Sequence, residues 1–414
     1  VIQHNPFTSS LFISVWCKNF NINTTTYNFK PINGLHFFKS KGELFINTGK
    51  NLTKGITYEI TETIGNNFKN QVCLIYDVPT YAQAKTTKIP KNLVIKKIKQ
   101  YPGFLIHLNQ YTGIENYLKK TFSKNSIQKL IRYNKRLQTC FDIDEKMLIG
   151  NSVEKTEYDT VFNHFHKLLN KRFEDKQITN NNLNPEEWRF YQAVVYPLIL
   201  ENKAALHVIY NNDVPISVRL LYFSEHIIFD AITVFDIDYT KFHIGKISIL
   251  KMLEWSFNSK YEIFDFSKGY FDYKESWSDL KYDFEYHIFY NTKSLKASLL
   301  ANTIALTFKT KQYLRDKKFN EKLHKITFAL KRGSKNNPIK VEILPHNKEE
   351  INKYDLQEIE LTDDILYLKK YIVDFQFLNS EHQKNIKLYQ IANQNNTLYL
   401  IKGKHNYQLL SVSH

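Results

Sequence analysis

From Ala204 onward the apolar residues stop recurring at helical spacing and begin to alternate. Ala204 to Tyr210, Pro215 to Phe223 and Ile227 to Phe235 predict three strands, joined by the turns Asn211-Asn-Asp213 and Ser224-Glu-His226 into an antiparallel meander. The loop Asp236 to His243 leads to a helix beginning near Gly245, and Ile263 to Phe266 is a further strand. The loop Ser267 to Ser278 and the strand Tyr282 to Tyr290 complete the unit. The order is β-β-β-loop-α-β-loop-β, with one crossover helix directly after the third strand.

Upstream the spacing is helical. Phe104 to Leu108 is a strand, and Thr112-Gly-Ile-Glu115 has the form of a capping box opening a helix through Leu118 and Phe122. Ser123 caps the next helix. Ile127, Leu130, Ile131 and Leu137 form its apolar stripe, and Lys124, Lys129, Arg132, Lys135 and Arg136 take the other faces. A third helix runs from about Glu154 to Phe173. Asn184-Pro-Glu-Glu187 caps a fourth, which carries Trp188, Tyr191, Val195, Leu198 and Ile199.

With 414 residues the chain has room for two or three domains, and its 30 Phe and 27 Tyr predict an aromatic core. The net charge of +16 is uneven. Lys85 to Lys99 holds six lysines and no acid, Glu115 to Arg136 seven bases against one acid, and Lys296 to Arg332 ten against two. Glu349 to Asp364 reverses this, with seven acids and one lysine. Such runs are ordinarily solvated faces, although nucleic acid, anionic lipid or an anionic cofactor would also suit them. Gly333 to Pro338 has linker composition and sets a boundary. Residues 339–414 then form a small α/β appendage with strands at Ile386 to Ile391, Thr397 to Ile401 and Tyr407 to Val412, and its role is not legible. The longest apolar run, Ala193 to Leu200, is too short to span a bilayer. Three widely spaced cysteines and the lack of a signal-peptide core predict a cytoplasmic protein, with the proviso that a chain starting on Val could have lost a targeting segment.

The β-β-β-loop-α-β order resembles the second half of a GNAT acyltransferase core. There the loop after a central strand opens into a helix whose free amides hold the pyrophosphate of acyl-CoA, as a helix N-terminus is suited to do. Lys241, His243, Gly245 and Lys246 sit at that point. The usual GNAT signature is not met, because Phe242 stands in its first position and Ile247 in its last. Phe122 to Leu137, Phe165 to Phe173, Tyr239-Thr-Lys-Phe-His-Ile-Gly245, Phe264-Asp-Phe-Ser-Lys-Gly269 and Tyr273-Lys-Glu-Ser-Trp277 are similar to the GNAT proteins of the CelD group. Asn5-Pro-Phe7 with Trp16, and Leu74-Ile-Tyr-Asp-Val-Pro79, add to the likeness, which covers about residues 1–295. That group is distantly similar to Fem-like peptidyltransferases, which contain two GNAT-like halves. The resemblance therefore implies an α/β (α+β) fold with tandem GNAT-like domains on mixed, largely antiparallel sheets. Residues 1–110 would be an abbreviated first half and 111–295 the main acyltransferase domain. Residues 296–332 would be a basic helical segment.

Lys274 is the first candidate for catalysis, since a lysine in a similar aromatic-Lys context assists transfer in Fem-like enzymes and an ammonium could stabilise an oxyanion. The alternative is a surface lysine. Asp230 shares a strand face with Ile228, Ile232 and Val234, so burial would push it toward a general base, unless it pairs with Arg219 on the neighbouring strand. Asp265, at a strand end, suits the substrate side or caps the loop at Ser267 to Gly269. Arg172, Tyr239, Tyr273 and Trp277 complete the acceptor side. His243 could meet donor phosphate, act as base or cap a helix.

His164 and His166 are two apart on a helix and cannot chelate one metal, and no Cys-x-x-Cys, P-loop or Gly-x-Ser-x-Gly is present. The expected activity is N-acyl transfer from acetyl-CoA to an amino group of a sugar or cell-envelope precursor, without metal. An aminoacyl-tRNA-dependent Fem-like transferase is the first rival. The second is a non-catalytic protein docking on nucleic acid or on the periphery of an anionic membrane through Lys296 to Arg332.

Overall fold

The computed structural model describes residues 2–21, 25–62, 68–82, 89–317, 339–345, 351, 354–391 and 397–413. The linker boundary at Gly333 to Pro338 and the end of the basic segment lie outside the described residues. The N-terminal part runs α1 (Ser10–Asn19), β1 (Tyr27–Phe29), β2 (Ile32–Lys39), β3 (Leu44–Asn47), β4 (Glu59–Ile60), β5 (Val72–Pro79) and β6 (Leu93–His107). It continues with α2 (Ile114–Thr121), α3 (Lys124–Cys140), β7 (Ile143–Leu148), α4 (Lys155–Asp175) and α5 (Pro185–Leu200). Then come β8 (Ala204–Asn211), β9 (Val214–Phe223), β10 (Ile227–Phe235), α6 (Ile244–Phe257), β11 (Ile263–Lys268), α7 (Asp272–Trp277), β12 (Leu280–Asn291) and α8 (Leu295–Asp316). The C-terminal unit holds β13 (Lys340–Leu344), β14 (Leu356–Ile359), α9 (Lys369–Asn379), β15 (Lys387–Ile391), β16 (Thr397–Lys402) and β17 (Tyr407–Ser413).

The expected meander is present, with β8, β9 and β10 antiparallel and β10 then parallel to β11 across the α6 crossover. One continuous sheet runs in the order β1-β2-β3-β5-β12-β6-β11-β10-β9-β8-β7. At its centre β12 and β6 are antiparallel. Outward from that pair each side repeats one pattern, an antiparallel neighbour (β5 or β11) followed by a parallel one (β3 or β10). The two long strands β12 and β6 thus lie side by side at the centre of the sheet. That accounts for the length of β6, which extends well upstream of the short strand expected at Phe104.

Helices cover both faces of the sheet. Phe12 and Trp16 of α1, Phe162 and Phe165 of α4, Phe190 and Leu198 of α5 and Phe308 of α8 share one aromatic core. Leu118 of α2, Leu130 of α3 and Met252 and Leu253 of α6 pack on the other face. The C-terminal unit has its own antiparallel sheet, β13-β17-β16-β15-β14, with α9 against it.

Several local expectations are corrected. Helix α2 starts after Gly113 with no side-chain cap, so Thr112 and Glu115 do not close a capping box. Asn184 is the N-cap of α5, but its side chain makes no capping bond. Ser123 does cap α3, accepting from the Ser126 amide at 3.3 Å. Strand β10 bulges between Asp230 and Ile232. Ala231 is the extra residue, and it reverses the alternation. Ile232 and Val234 therefore join the core of Ile227 and Phe229, while Ile228 packs in the opposite one. The expected common face of Ile228, Asp230, Ile232 and Val234 does not form. The loop after β11 contains the short helix α7, and the C-terminal sheet has two strands, β13 and β14, beyond the three expected.

Candidate active site

Strands β10 and β11 pair in parallel over three rungs, ending at Phe229 opposite Asp265. Beyond that rung β10 bulges and the pairing stops, which opens a fork at the carboxyl ends of the two strands, where open sheets place their ligands. Asp230 is 5% exposed at the opening and forms an ion pair with Arg219 of β9, which is fully buried. Thr233 donates to the other Asp230 oxygen at 2.8 Å, and Arg219 Nη2 reaches Ser248 Oγ at 3.4 Å. The ion pair is therefore formed. Arg172, from the end of α4, lies 4.5 Å from the centroid of the Phe235 ring. The Tyr273 hydroxyl is pushed upward by burial and then by the Asp230 charge, against the pull of Arg219 and Arg172.

Asp265 is buried completely, and its carboxylate accepts from Tyr282 (2.8 and 2.7 Å), Tyr81 (2.9 Å) and the Ser267 amide (2.8 Å). Burial pushes its pKa up to about 6, although these bonds and the Lys274 charge oppose the shift. Tyr282 reaches it by crossing Gly103, where a Cβ would stand 2.2 Å from the ring. Lys274 is 6% exposed, so the surface-lysine alternative fails. Its Nζ donates to three carbonyls at the end of β11, those of Phe266 (2.6 Å), Ser267 (3.2 Å) and Lys268 (3.1 Å). An ammonium has three donors, and all are spent on this turn, in which Ser267 has φ +60°. Burial lowers its pKa to about 8, with Asp230 and Asp265 pulling the other way.

The N-terminal strands and loops add residues that the sequence did not single out. Asp77 of β5, fully buried at φ +64°, accepts from Thr53 (2.8 Å) and Gln100 (2.9 Å) and pairs with Lys268. Lys54 is 7% exposed beside it, and burial followed by the Lys268 charge lowers its pKa to about 8. Asp77 and Asp265 occupy matching strands on the two sides of the central pair. Asp77 stood in the Leu74-to-Pro79 segment of the resemblance, and Ile75-Tyr-Asp77 shares with Ile263-Phe-Asp265 the signal that could have singled it out, an apolar run interrupted by one carboxylate.

The residues assigned to the donor gather at the start of α6, the far side of Phe235. A turn of 3-10 helix, Ile237–Phe242, precedes it, and His243 is the N-cap at φ +54°. Lys246 and Ile247 both donate to the His243 carbonyl, and the amides of Ile244 and Gly245, in the first turn, have no backbone partner among the described residues. Lys241 pairs with Asp374 of α9 at 3.0 Å, and Lys246 is exposed. The His243 ring rests on Tyr133 of α3, centroids 4.1 Å apart. Tyr239 is 2% exposed, packs on Phe141 and accepts from Asn211 at 3.1 Å. Trp277 is 3% exposed and sits in the core against Phe122. Among the described residues no group of three or more His, Cys, Asp and Glu could hold a metal ion, and no helix is long and apolar enough to cross a membrane.

A Cβ on Gly245 would lie 2.7 Å from Phe235 Cε1, so the ring under Arg172 requires a glycine there. Gly245→Val is expected to destabilise the fold by roughly 1–3 kcal/mol through overpacking. Thermal melting checks this, and a wild-type midpoint would mean that Phe235 yields freely.

Residues 132–275, from the middle of α3 to α7, match the family described as acetyltransferase (GNAT) domain. No curated protein matches the chain. Distant similarity to three solved structures is also found. A conserved protein of unknown function from Bacteroides thetaiotaomicron has 9% identity and a TM-score of 0.42, over 70% of this chain and 92% of that one. The C-terminal domain of a putative lysylphosphatidylglycerol synthetase from Agrobacterium fabrum has 10% and 0.41, over 72% and 95%. FemX has 10% and 0.44, over 66% and 86%. The matched segment contains the fork, α6 and Lys274, so residues 132–275 carry a GNAT-type acetyltransferase domain, and the activity this domain supports is acyl transfer.

Proposed function

We propose that the chain transfers an acetyl group from acetyl-CoA to an amino group of a sugar or cell-envelope precursor. The observation that carries this reading is the fork between β10 and β11, with α6 starting directly behind it. A thioester in the fork would have its pyrophosphate at the first-turn amides of Ile244 and Gly245, with Lys246 beside it. The amine nitrogen attacks the thioester carbonyl, the C–N bond forms and the C–S bond breaks. The thiolate leaves as CoA, and the proton lost by the amine passes to a base.

Two carboxylates compete for that base. Asp230 has one oxygen on Arg219 and the other on Thr233. Asp265 has the pKa of a usable base at neutral pH, and the part-buried Tyr81 hydroxyl donates to it at 2.9 Å. We assign the proton to Asp265 through the Tyr81 hydroxyl. Lys274 is then a positioning residue that fixes the turn at 266–268, and Arg172 and Tyr273 line the acceptor side.

One observation favours a second reading, an aminoacyl-tRNA-dependent transferase of Fem-like plan. The parallel pair β3 and β5 is a second fork, related to the first across β12 and β6, and supports tandem halves within residues 1–295.

Acetyl-CoA at 100 times its dissociation constant is expected to stabilise the protein by about 2.7 kcal/mol, read as a rise in melting temperature. No shift at millimolar CoA together with a shift on adding tRNA, one that weakens steeply with salt, would replace the first reading by the second.

A further inference from the structure

The C-terminal unit is docked on the donor end of the domain. Val373 of α9 packs with Tyr239, Phe242, Ile244 and Ile247, and Phe377, four residues on and so on the same helix face, meets Phe242 with centroids 5.1 Å apart. Polar contacts fix the joint. Lys369 pairs with Asp236 at 2.8 Å, Lys241 with Asp374 at 3.0 Å, and Arg136 Nη1 donates to the Phe377 carbonyl at 2.8 Å.

This docking creates a pocket of about 260 Å³ lined by Arg132, Tyr133, Arg136 and Phe377. Its volume lies below the roughly 300–1,000 Å³ of a site that encloses a whole drug-sized ligand, so it suits one end of a longer molecule. Its chemistry is specific. Two rings, Tyr133 and Phe377, stand with centroids 6.3 Å apart at 33°, and two guanidiniums lie over them, Arg136 at 5.0 Å from Phe377 and Arg132 at 6.0 Å from Tyr133. Helix α3 carries five bases and no acid over Lys124–Cys140. Arg132 is exposed and, among the described residues, enters no ion pair. The nearby carboxylates of the C-terminal unit are occupied, Asp374 by Lys241 and Glu381 by Asn385 and the Lys404 amide. The floor of the pocket, Tyr133, supports His243 at the first turn of α6.

We infer that this pocket binds a phosphorylated adenosine, with the base on Tyr133 and Phe377 and the phosphate on Arg132 and Arg136. The base is held by stacking, and the phosphate by the forked donors that suit it. The inference rests on the acyl-CoA reading, in which the 3′-phosphate of CoA supplies the phosphorylated adenosine. The terminal adenosine of a tRNA offers the same base with its phosphate on the 5′ side. The basic run through α3 and the C-terminal unit then acquire one shared purpose, since residues 339–414 complete a donor site begun by the acetyltransferase domain.

Calorimetric titration of the full chain with CoA, dephospho-CoA and adenosine 3′,5′-bisphosphate tests it. Wild type is expected to bind CoA at least about tenfold more tightly than dephospho-CoA, the worth of a charge-assisted bond. Arg132→Ala, at an exposed position, should bring the two affinities together by weakening CoA alone. Phe377→Ala should weaken both. Equal affinities in wild type, or a preference unchanged in Arg132→Ala, would overturn the subsite and leave the donor reading standing. If CoA fails to bind while the bisphosphate binds in an Arg132-dependent way, the subsite stands and the acyl-CoA reading falls. A tRNA whose binding depends on its 3′-terminal adenosine would then identify the source. If the bisphosphate also fails, both are overturned.

Discussion

Arg219→Ala is expected to lower the stability of the fold by about 3–5 kcal/mol, the usual result of breaking a buried ion pair by removing one partner. Arg219 is fully buried on β9, and its guanidinium is the only cation paired with Asp230 among the described residues. Without it a carboxylate 5% exposed would keep one hydroxyl donor, Thr233, and lose its ion-pair partner, leaving the Lys274 ammonium to act on it only through space. Against a typical total of about 5–15 kcal/mol such a loss is severe, and the single variant could fail to fold. A double variant, Arg219→Met with Asp230→Leu, keeps the test open. Replacing both partners by apolar residues is often neutral or stabilising by about 1–4 kcal/mol, so the denaturation midpoint should recover toward wild type. If the pair exists to tune the fork, the double variant should be stable and inactive. If it is stable and fully active, the pair has no part in transfer. A single variant as stable as wild type would show that the carboxylate is not the isolated charge this geometry implies.

The main domain was legible because its evidence is local. Alternation over Ala204–Phe235 and the polar segment before Gly245 predict three strands and a helix start, and both are found within a residue or two. The fork itself was not legible. It depends on a one-residue bulge at Ala231, which carries no compositional mark and reverses every side chain after it. The expectation for Asp230 named the correct partner, Arg219, but the wrong face-mates. Long-range strand pairing also escapes a reading by segments, since β6 is held by β12 across more than 170 residues and much of β6 is lysine-rich. For the same reason Asp77, Lys54, Tyr81 and Tyr282 emerged only in three dimensions. Asp77, Tyr81 and Tyr282 meet Lys268 and Asp265 of β11 through side chains that reach past the intervening strands, which no local pattern announces. The docking of α9 on the donor helix had a weak signal at most, two apolar residues four apart in an otherwise ordinary amphipathic helix.

Asp265 should give the protein a pH dependence opposite to that of most carboxylates. An aspartate stabilised by partners has a lowered pKa, and its contribution is lost in acid. Asp265 is raised from the usual 3.8 to about 6, because desolvation outweighs its three donors. The folded chain therefore holds this proton more tightly than the unfolded one. For this group stability is greatest below about pH 4, falls as pH rises toward 6, and is flat above. The size is about 3 kcal/mol, at roughly 1.36 kcal/mol for each tenfold change in proton affinity. Asp236, lowered by Lys369 and Lys171 against its own desolvation, contributes in the other direction. The measurement is thus the difference between wild type and Asp265→Asn, taken by denaturant unfolding from pH 4 to 8. The difference should move in favour of the variant across pH 4 to 6 and then level off. A difference independent of pH would mean that Asp265 is ionised throughout and cannot serve as the base. Turnover separates the two roles open to it. As proton acceptor, Asp265 gives wild-type activity rising with an apparent pKa near 6 and a variant that folds well but is nearly inactive. As an anchor for Tyr81 and Tyr282 alone, it gives a variant that retains most of its activity, because the amide oxygen still accepts from both hydroxyls.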